Sequence, residues 1–269
     1  MFNILFLFVI IPVLTLGGLF LTRNVKQVRA VAATGASMLL LAAIYLCYAF
    51  VTEKALPENA GQAMLFVDSF MWFEPLNIHL AVGVDGISVL MIMLSAIIVF
   101  TGTFASWKVE PLTKEYFLWF ILLSIGVFGF FISIDLFTMF MFYEVALIPM
   151  YLLIGVWGSG NKNYAAMKLT LMLMGGSAFL LISILGIYYH AGETMNLLEI
   201  AANGVDAGWQ NALFVCAFVG FGVLGAMFPF HTWSPDGHAS APTAVSMLHA
   251  GVLMKLGGYG CFRIAIYLM

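Results

Sequence analysis

Apolar runs of about 20 residues recur from one end of the chain to the other, parted by short segments that hold most of the charges and turn-forming residues. A run of that length crosses a hydrocarbon core roughly 30 Å thick. The pattern predicts membrane-spanning helices over about 2–21, 30–51, 81–106, 116–133, 135–157, 165–190, 209–230 and 241–267. The fourth and fifth are joined only through Ile132–Asp135, which requires a tight turn. No connecting segment resembles a soluble domain. The expected class is all-α: a polytopic membrane protein of about eight helices, one transmembrane domain over 1–269.

The seventh helix breaks the regular pattern. Gly220, Gly222 and Gly225 precede Pro229, and the polar run HTWSPDGHASAP follows. Proline lacks a backbone donor and glycine loosens a helix, so this helix is expected to be interrupted between Gly220 and Trp233. Inside a bilayer, irregular backbone survives only where protein or a water-filled cavity satisfies it. Transporters place ion sites at such breaks.

Composition agrees with the pattern. Of 269 residues, 63% are hydrophobic and 9% charged, with a mean hydropathy of +1.06. A soluble domain carries roughly 25% charged residues to wet its surface. The net charge of −3, with basic residues scattered through loops, gives no nucleic-acid footprint. Cys47, Cys216 and Cys261 are single and far apart, and no spacing suggests a metal, haem or iron–sulfur cluster. Charge then sets the expected orientation. Arg23, Lys26 and Arg29 lie in the first loop, Lys108 and Lys114 in the third, and Lys162 in the fifth. The second loop, about 52–80, has Lys54 against Glu53, Glu58, Asp68 and Glu74, and the sixth, 191–208, has no Lys or Arg. The positive-inside rule therefore puts the odd loops in the cytoplasm and the N-terminus outside. The first apolar run lacks a basic segment before it, which fits a retained helix rather than a cleaved signal.

A few polar residues stand where the bilayer makes them expensive. Glu144 lies deep within the fifth helix and Lys255 deep within the eighth, the latter beside Gly257, Gly258 and Gly260. Such residues usually face the bundle and serve function. The competing readings are a protonated carboxyl satisfied by a neighbouring helix, and a lysine that snorkels. His249 precedes Lys255 on the same helix, and titrates near neutrality. It either extends a relay or is a hydrogen-bonded core histidine. Lys168, a few residues into the sixth helix, either snorkels or reaches inward as the cation for Glu144. Asp135 either caps the fifth helix or takes up protons, and His231 and His238 either take up protons or hold the turn around WSPDGH.

The runs FYEVALIPMYLLIGVWG and PFHTWSPDGHASAPTAVSMLHAGVLMKLGGYG, with VGVDGISVLMIML at 82–94, resemble the M-type antiporter-like subunits of bacterial NADH:quinone oxidoreductase, respiratory complex I. Mrp cation/proton antiporter and membrane-bound hydrogenase subunits share that fold. The resemblance implies inverted five-helix repeats, with 1–106 as N-terminal helices, 116–267 as the first half-channel, and the second repeat absent. It matches Glu144 and Lys255 to the family's proton-carrying glutamate and lysine; with Lys168 and His249 they form the expected proton path, with His231, His238 and Asp135 as possible points of proton uptake. It places the chain in the inner (cytoplasmic) membrane among other membrane subunits, neighbouring antiporter-like subunits and lipid. No cofactor is expected on this chain; quinone, FMN and iron–sulfur clusters belong to partner subunits. One departure is chemical: the lysine such proteins carry five residues before the Pro of Pro-Phe-His is Leu224 here, and the nearby proline is Ala226. An Mrp-type sodium/proton antiporter subunit and a non-pumping structural subunit are the alternatives.

Overall fold

The computed structural model describes residues 3–59, 61–266 and 268. Residues 1, 2, 60, 267 and 269, on which the outer limits of the first helix, the eighth helix and the domain fall, lie outside them. A short 3-10 turn, Ile4–Phe6, leads into α1 (Leu7–Leu21), and α2 (Val25–Lys54) follows. α3 (Gly86–Ala105), α4 (Thr113–Ile132), α5 (Leu136–Trp157) and α6 (Lys162–His190) continue the bundle. Beyond them come α7 (Leu197–Asn203) and α8 (Ala207–Leu224), then α9 (Trp233–Ser240), α10 (Thr243–Leu248) and α11 (Met254–Gly260). Seven spans among the described residues are long and apolar enough to cross a membrane.

The eighth predicted helix is present in another form. From Thr243 to Ile266 the chain stays helical, but π-helical segments His249–Leu253 and Cys261–Ile266 alternate with α10 and α11. We call this whole stretch helix eight. Such π segments occur disproportionately at functional sites.

α4 is the centre of the bundle and packs against α1, α3 and α5. It is apolar all round, and Phe117, Phe120, Phe128, Phe130 and Phe131 are buried. Its close approach to α5 depends on Gly126: a Cβ there would stand 2.8 Å from the Ala146 backbone nitrogen. The remaining helices leave large apolar side chains such as Leu14, Leu41, Leu90 and Ile148 exposed, the dress of a lipid-facing surface.

Two helix limits need correction, and one loop holds a helix that the pattern did not address. The third helix starts at Gly86, not at about 81. Residues before it form an antiparallel hairpin, β1 (Leu65–Phe73) with β2 (Ile78–Val84), turned through Asn77 at φ 50°. The apolar run IHLAVGV reads alike as strand or buried helix, and the Asp85 side chain ends the ambiguity by accepting from Ser88 N–H at 2.8 Å to cap α3. The sixth loop contains α7, capped by Asn196 Oδ1 accepting from Leu198 N–H at 2.9 Å. α2 is longer than 30–51, because charged residues such as Lys26, Arg29 and Glu53 continue a helix once it leaves hydrocarbon.

The seventh helix breaks where expected. α8 stops at Leu224, and a run of turns leads through Pro229 to α9. The freed backbone groups are used: Gly225 N–H donates to Phe221 O at 2.8 Å and Met227 N–H to Gly222 O at 2.8 Å. The buried Trp233 folds back to donate Nε1–H to Val223 O at 3.1 Å.

Side-chain ties identify the two ends of the bundle. Lys114 Nζ donates to Phe20 O and Thr22 O, and Trp157 Nε1 to Pro111 O, so the first, third and fifth connections share one end. Asn3 Nδ2 donates to Phe66 O at the other end, where the hairpin meets the α4–α5 turn.

Candidate functional site

α9 continues the broken seventh helix, packs against α6 and ends at the α5–α6 connection, where Ser159 N–H donates to Ser240 O at 2.8 Å. The sequence permits this because Gly237 lies under His249, where a Cβ would stand 3.3 Å from the ring. The first polar link is an ion pair at 2.6 Å from Lys168 Nζ to Asp236 Oδ2. The Lys168 amine is thereby engaged by Asp236 and not by Glu144. That corrects the expectation of a Lys168–Glu144 partnership: the fold brings the α9 acid to the lysine instead.

Two residues on from Asp236, His238 stacks on His249 with centroids 4.2 Å apart. His238 Nδ1 shares a hydrogen bond with Ser246 Oγ at 3.1 Å, and Nε2 faces Met254 Sδ at 3.5 Å. His249 is 1% exposed, stacks on Trp233 at 5.2 Å, and has neither ring nitrogen hydrogen-bonded. A buried imidazole with two free nitrogens is costly, and proton transfer uses such free nitrogens.

Lys255 lies within electrostatic reach of both rings. Its Nζ donates back to Ala250 O, a carbonyl of the first π segment. The expectation that it points into the bundle is not met. The side chain is exposed on the face carrying Gly258 and Phe262, and it lines a groove of about 470 Å³ between α3, α8 and helix eight. The reason is packing: Gly257 and Gly260, not Lys255, turn toward α8, and a Cβ on Gly257 would stand 2.4 Å from Gly225 N.

Glu144 stands apart from these groups. It is half-buried in an apolar groove of about 480 Å³ between α5 and α6, lined by Phe137, Phe140, Tyr151, Thr170 and Met174 among others. Its Oε1 is enclosed without a hydrogen-bond partner, and the Ser177 hydroxyl lies beside the carboxyl. Leu224, at the position of the family lysine, is packed into the core at 1% exposure.

Asp135 is fully buried and engaged. Oδ1 accepts from Thr138 N–H at 2.9 Å, and Oδ2 accepts from His79 N–H at 3.2 Å. Burial raises its pKa above the usual carboxylate range, and those hydrogen bonds oppose the rise. His231 is exposed beside Phe228, outside the stack. The structure thus stacks His238 on His249, places the Lys168–Asp236 pair two residues before His238 and Lys255 within electrostatic reach of both rings, and sets Glu144, Asp135 and His231 apart from them. Asp236 was not flagged from sequence; an acid inside WSPDGH, within an otherwise acid-free membrane stretch, was the available signal. Among the described residues no group of three or more His, Cys, Asp or Glu is placed to hold a metal.

A bundle of apolar helices with one helix broken around Pro229, and histidines and lysines beside the break, has the architecture of a polytopic membrane protein of the antiporter-like class. The chain belongs to the NADH:quinone oxidoreductase/Mrp antiporter transmembrane family, whose profile matches residues 133–269. It is 37% identical over 215 residues to NADH-quinone oxidoreductase subunit M of Rickettsia bellii, covering 79% of this chain and 43% of the relative. To subunit M of Rhodobacter capsulatus it is 38% identical over 222 residues, covering 78% and 43%. A chain of respiratory complex I from Thermus thermophilus superposes with a TM-score of 0.83 at 25% identity, covering 98% of this chain and 53% of that one. A chain of an archaeal membrane-bound sulfane sulfur reductase shares the fold, with a TM-score of 0.79 at 20% identity. The chain spans less than half the length of the two subunit M relatives.

Proposed function

We propose that this chain is a proton-translocating membrane subunit of an NADH:quinone oxidoreductase. The observation that carries the reading is the His238–His249 stack beside the broken helix, which lies between the Lys168–Asp236 pair and Lys255 in the proposed path. Lys168 starts near the end that holds the basic loops, and Lys255 lies near mid-span. The path therefore has the direction of an uptake half-channel. Protons enter by Asp236 and Lys168, pass between the imidazoles, and reach the Lys255 amine. The helices from Thr113 to Ile266 form this half-channel unit.

No redox group is needed on this chain. Quinone, FMN and iron–sulfur clusters belong to partner subunits in this reading, and the neighbours of this chain are other membrane subunits and lipid. The end tied together by Lys114 and Trp157 carries the basic loops, so it faces the cytoplasm across the inner membrane and the N-terminus lies outside. The names of the subunit M relatives favour this reading over an Mrp-type antiporter.

The test uses inverted membrane vesicles containing the assembled complex, with NADH oxidation and proton uptake followed together. Lys255→Ala and His249→Phe should uncouple the two, abolishing proton uptake by this route while assembly survives. Normal proton uptake in both variants overturns the proposal and leaves a structural subunit. Sodium-dependent exchange without NADH identifies the antiporter alternative.

A further inference from the structure

A second buried polar cluster lies at the hairpin end, away from the histidine stack. Arg263, in the π segment Cys261–Ile266, forms an ion pair with Asp85, the cap of α3. Its Nη2 donates to Ser88 Oγ at 3.2 Å, and its guanidinium lies over the Tyr259 ring at 4.9 Å. The Tyr259 hydroxyl closes the cluster by sharing a 2.7 Å hydrogen bond with Ser88 Oγ. Arg263 is 8% exposed and Tyr259 5%.

An ion pair taken out of water gives little net stability, so its retention asks for another explanation such as fixing one arrangement among several. Here the arrangement at stake is the rotation of α11. That short helix carries Lys255 and is flanked on both sides by π segments, which are frequent at functional sites. The His249–Trp233 stack holds the segment before it. The Asp85 cluster holds the segment after it, through Tyr259, which follows Lys255 by one helical turn and lines the same groove.

We infer that Arg263 and Asp85 are positioning residues for Lys255: with Ser88 and Tyr259 they latch the end of helix eight to α3 and set the face and height at which Lys255 enters its groove. This rests on the proton-translocation reading, since Lys255 is the group positioned.

The test again uses the assembled complex. Tyr259→Phe removes one hydroxyl and keeps the ion pair, so folding is spared. The exchanged pair Asp85→Arg with Arg263→Asp restores opposite charges after each single change has broken them. Hydrogen–deuterium exchange of residues 261–266 should quicken by roughly tenfold in Tyr259→Phe and in each single change. Proton uptake per NADH should fall with it, and the exchanged pair should recover both relative to the single variants. Unchanged exchange in Tyr259→Phe overturns the latch. Faster exchange with undiminished proton uptake overturns its role in positioning Lys255. Proton uptake that survives Lys255→Ala overturns the proton reading instead, and does so independently of the exchange result.

Discussion

The rings of His238 and His249 lie 4.2 Å apart, nearly parallel at 25°, one from α9 and one from the first π segment of helix eight. At that separation two imidazolium charges would repel by about 4 kcal/mol even at an effective dielectric of about 20. A second positive charge on the pair is therefore disfavoured, and in the proposed path an excess proton passes from one ring to the other. His238→Gln should lower proton uptake as severely as His249→Phe, and the double variant should be no worse than either. Vesicle proton uptake measured beside NADH oxidation checks this; additive losses would mean two separate routes.

The Lys168–Asp236 pair is partly exposed, so solvent screening leaves it little direct worth for stability. Its effect should lie in function. Lys168→Met and Asp236→Asn are expected to reduce proton uptake to a similar degree and non-additively, with little change in the thermal midpoint of the purified complex. A large midpoint shift would make the pair a structural tie.

Asp135 answers to two backbone donors at once. Asp135→Ala should destabilise by about 2 kcal/mol or more, since the typical loss of a helix cap is about 1 kcal/mol and a buried His79 N–H is orphaned as well. Asp135→Asn keeps one acceptor and should cost less. Thermal denaturation in detergent separates them; equal losses would show that charge, and not the hydrogen bonds, matters.

Gly257 allows helix eight to meet the end of α8, where a Cβ would collide with the backbone of Gly225 and Phe221. Gly257→Val should cost about 1–3 kcal/mol or more, as overpacking against backbone cannot be relieved by a rotamer change. Loss of the assembled complex on native gels, with Gly258→Ala tolerated because nothing crowds that position, is the expected result.

The membrane class, the approximate places of most spans and the break before Pro229 were legible in the chain alone. Length and composition decide those: hydrocarbon accepts only elements that satisfy their own backbone, here helices of about 20 apolar residues, and a proline inside one leaves backbone groups that need a cavity or protein. The sequence also singled out His249 and Lys255 as misplaced in lipid. Tertiary structure decided the rest. Periodicity could not show that α4 is buried on every side, because lipid and protein interior are equally apolar and put no polar stripe on either. It could not separate the strand Ile78–Val84 from the helix that follows, since a short apolar run serves both. Nor could it pair Lys168 with Asp236, 68 residues away, or turn Lys255 to the groove. Which acid a lysine meets, and which face a helix shows, depend on where glycines let backbones approach, and those distances exist only in the folded chain.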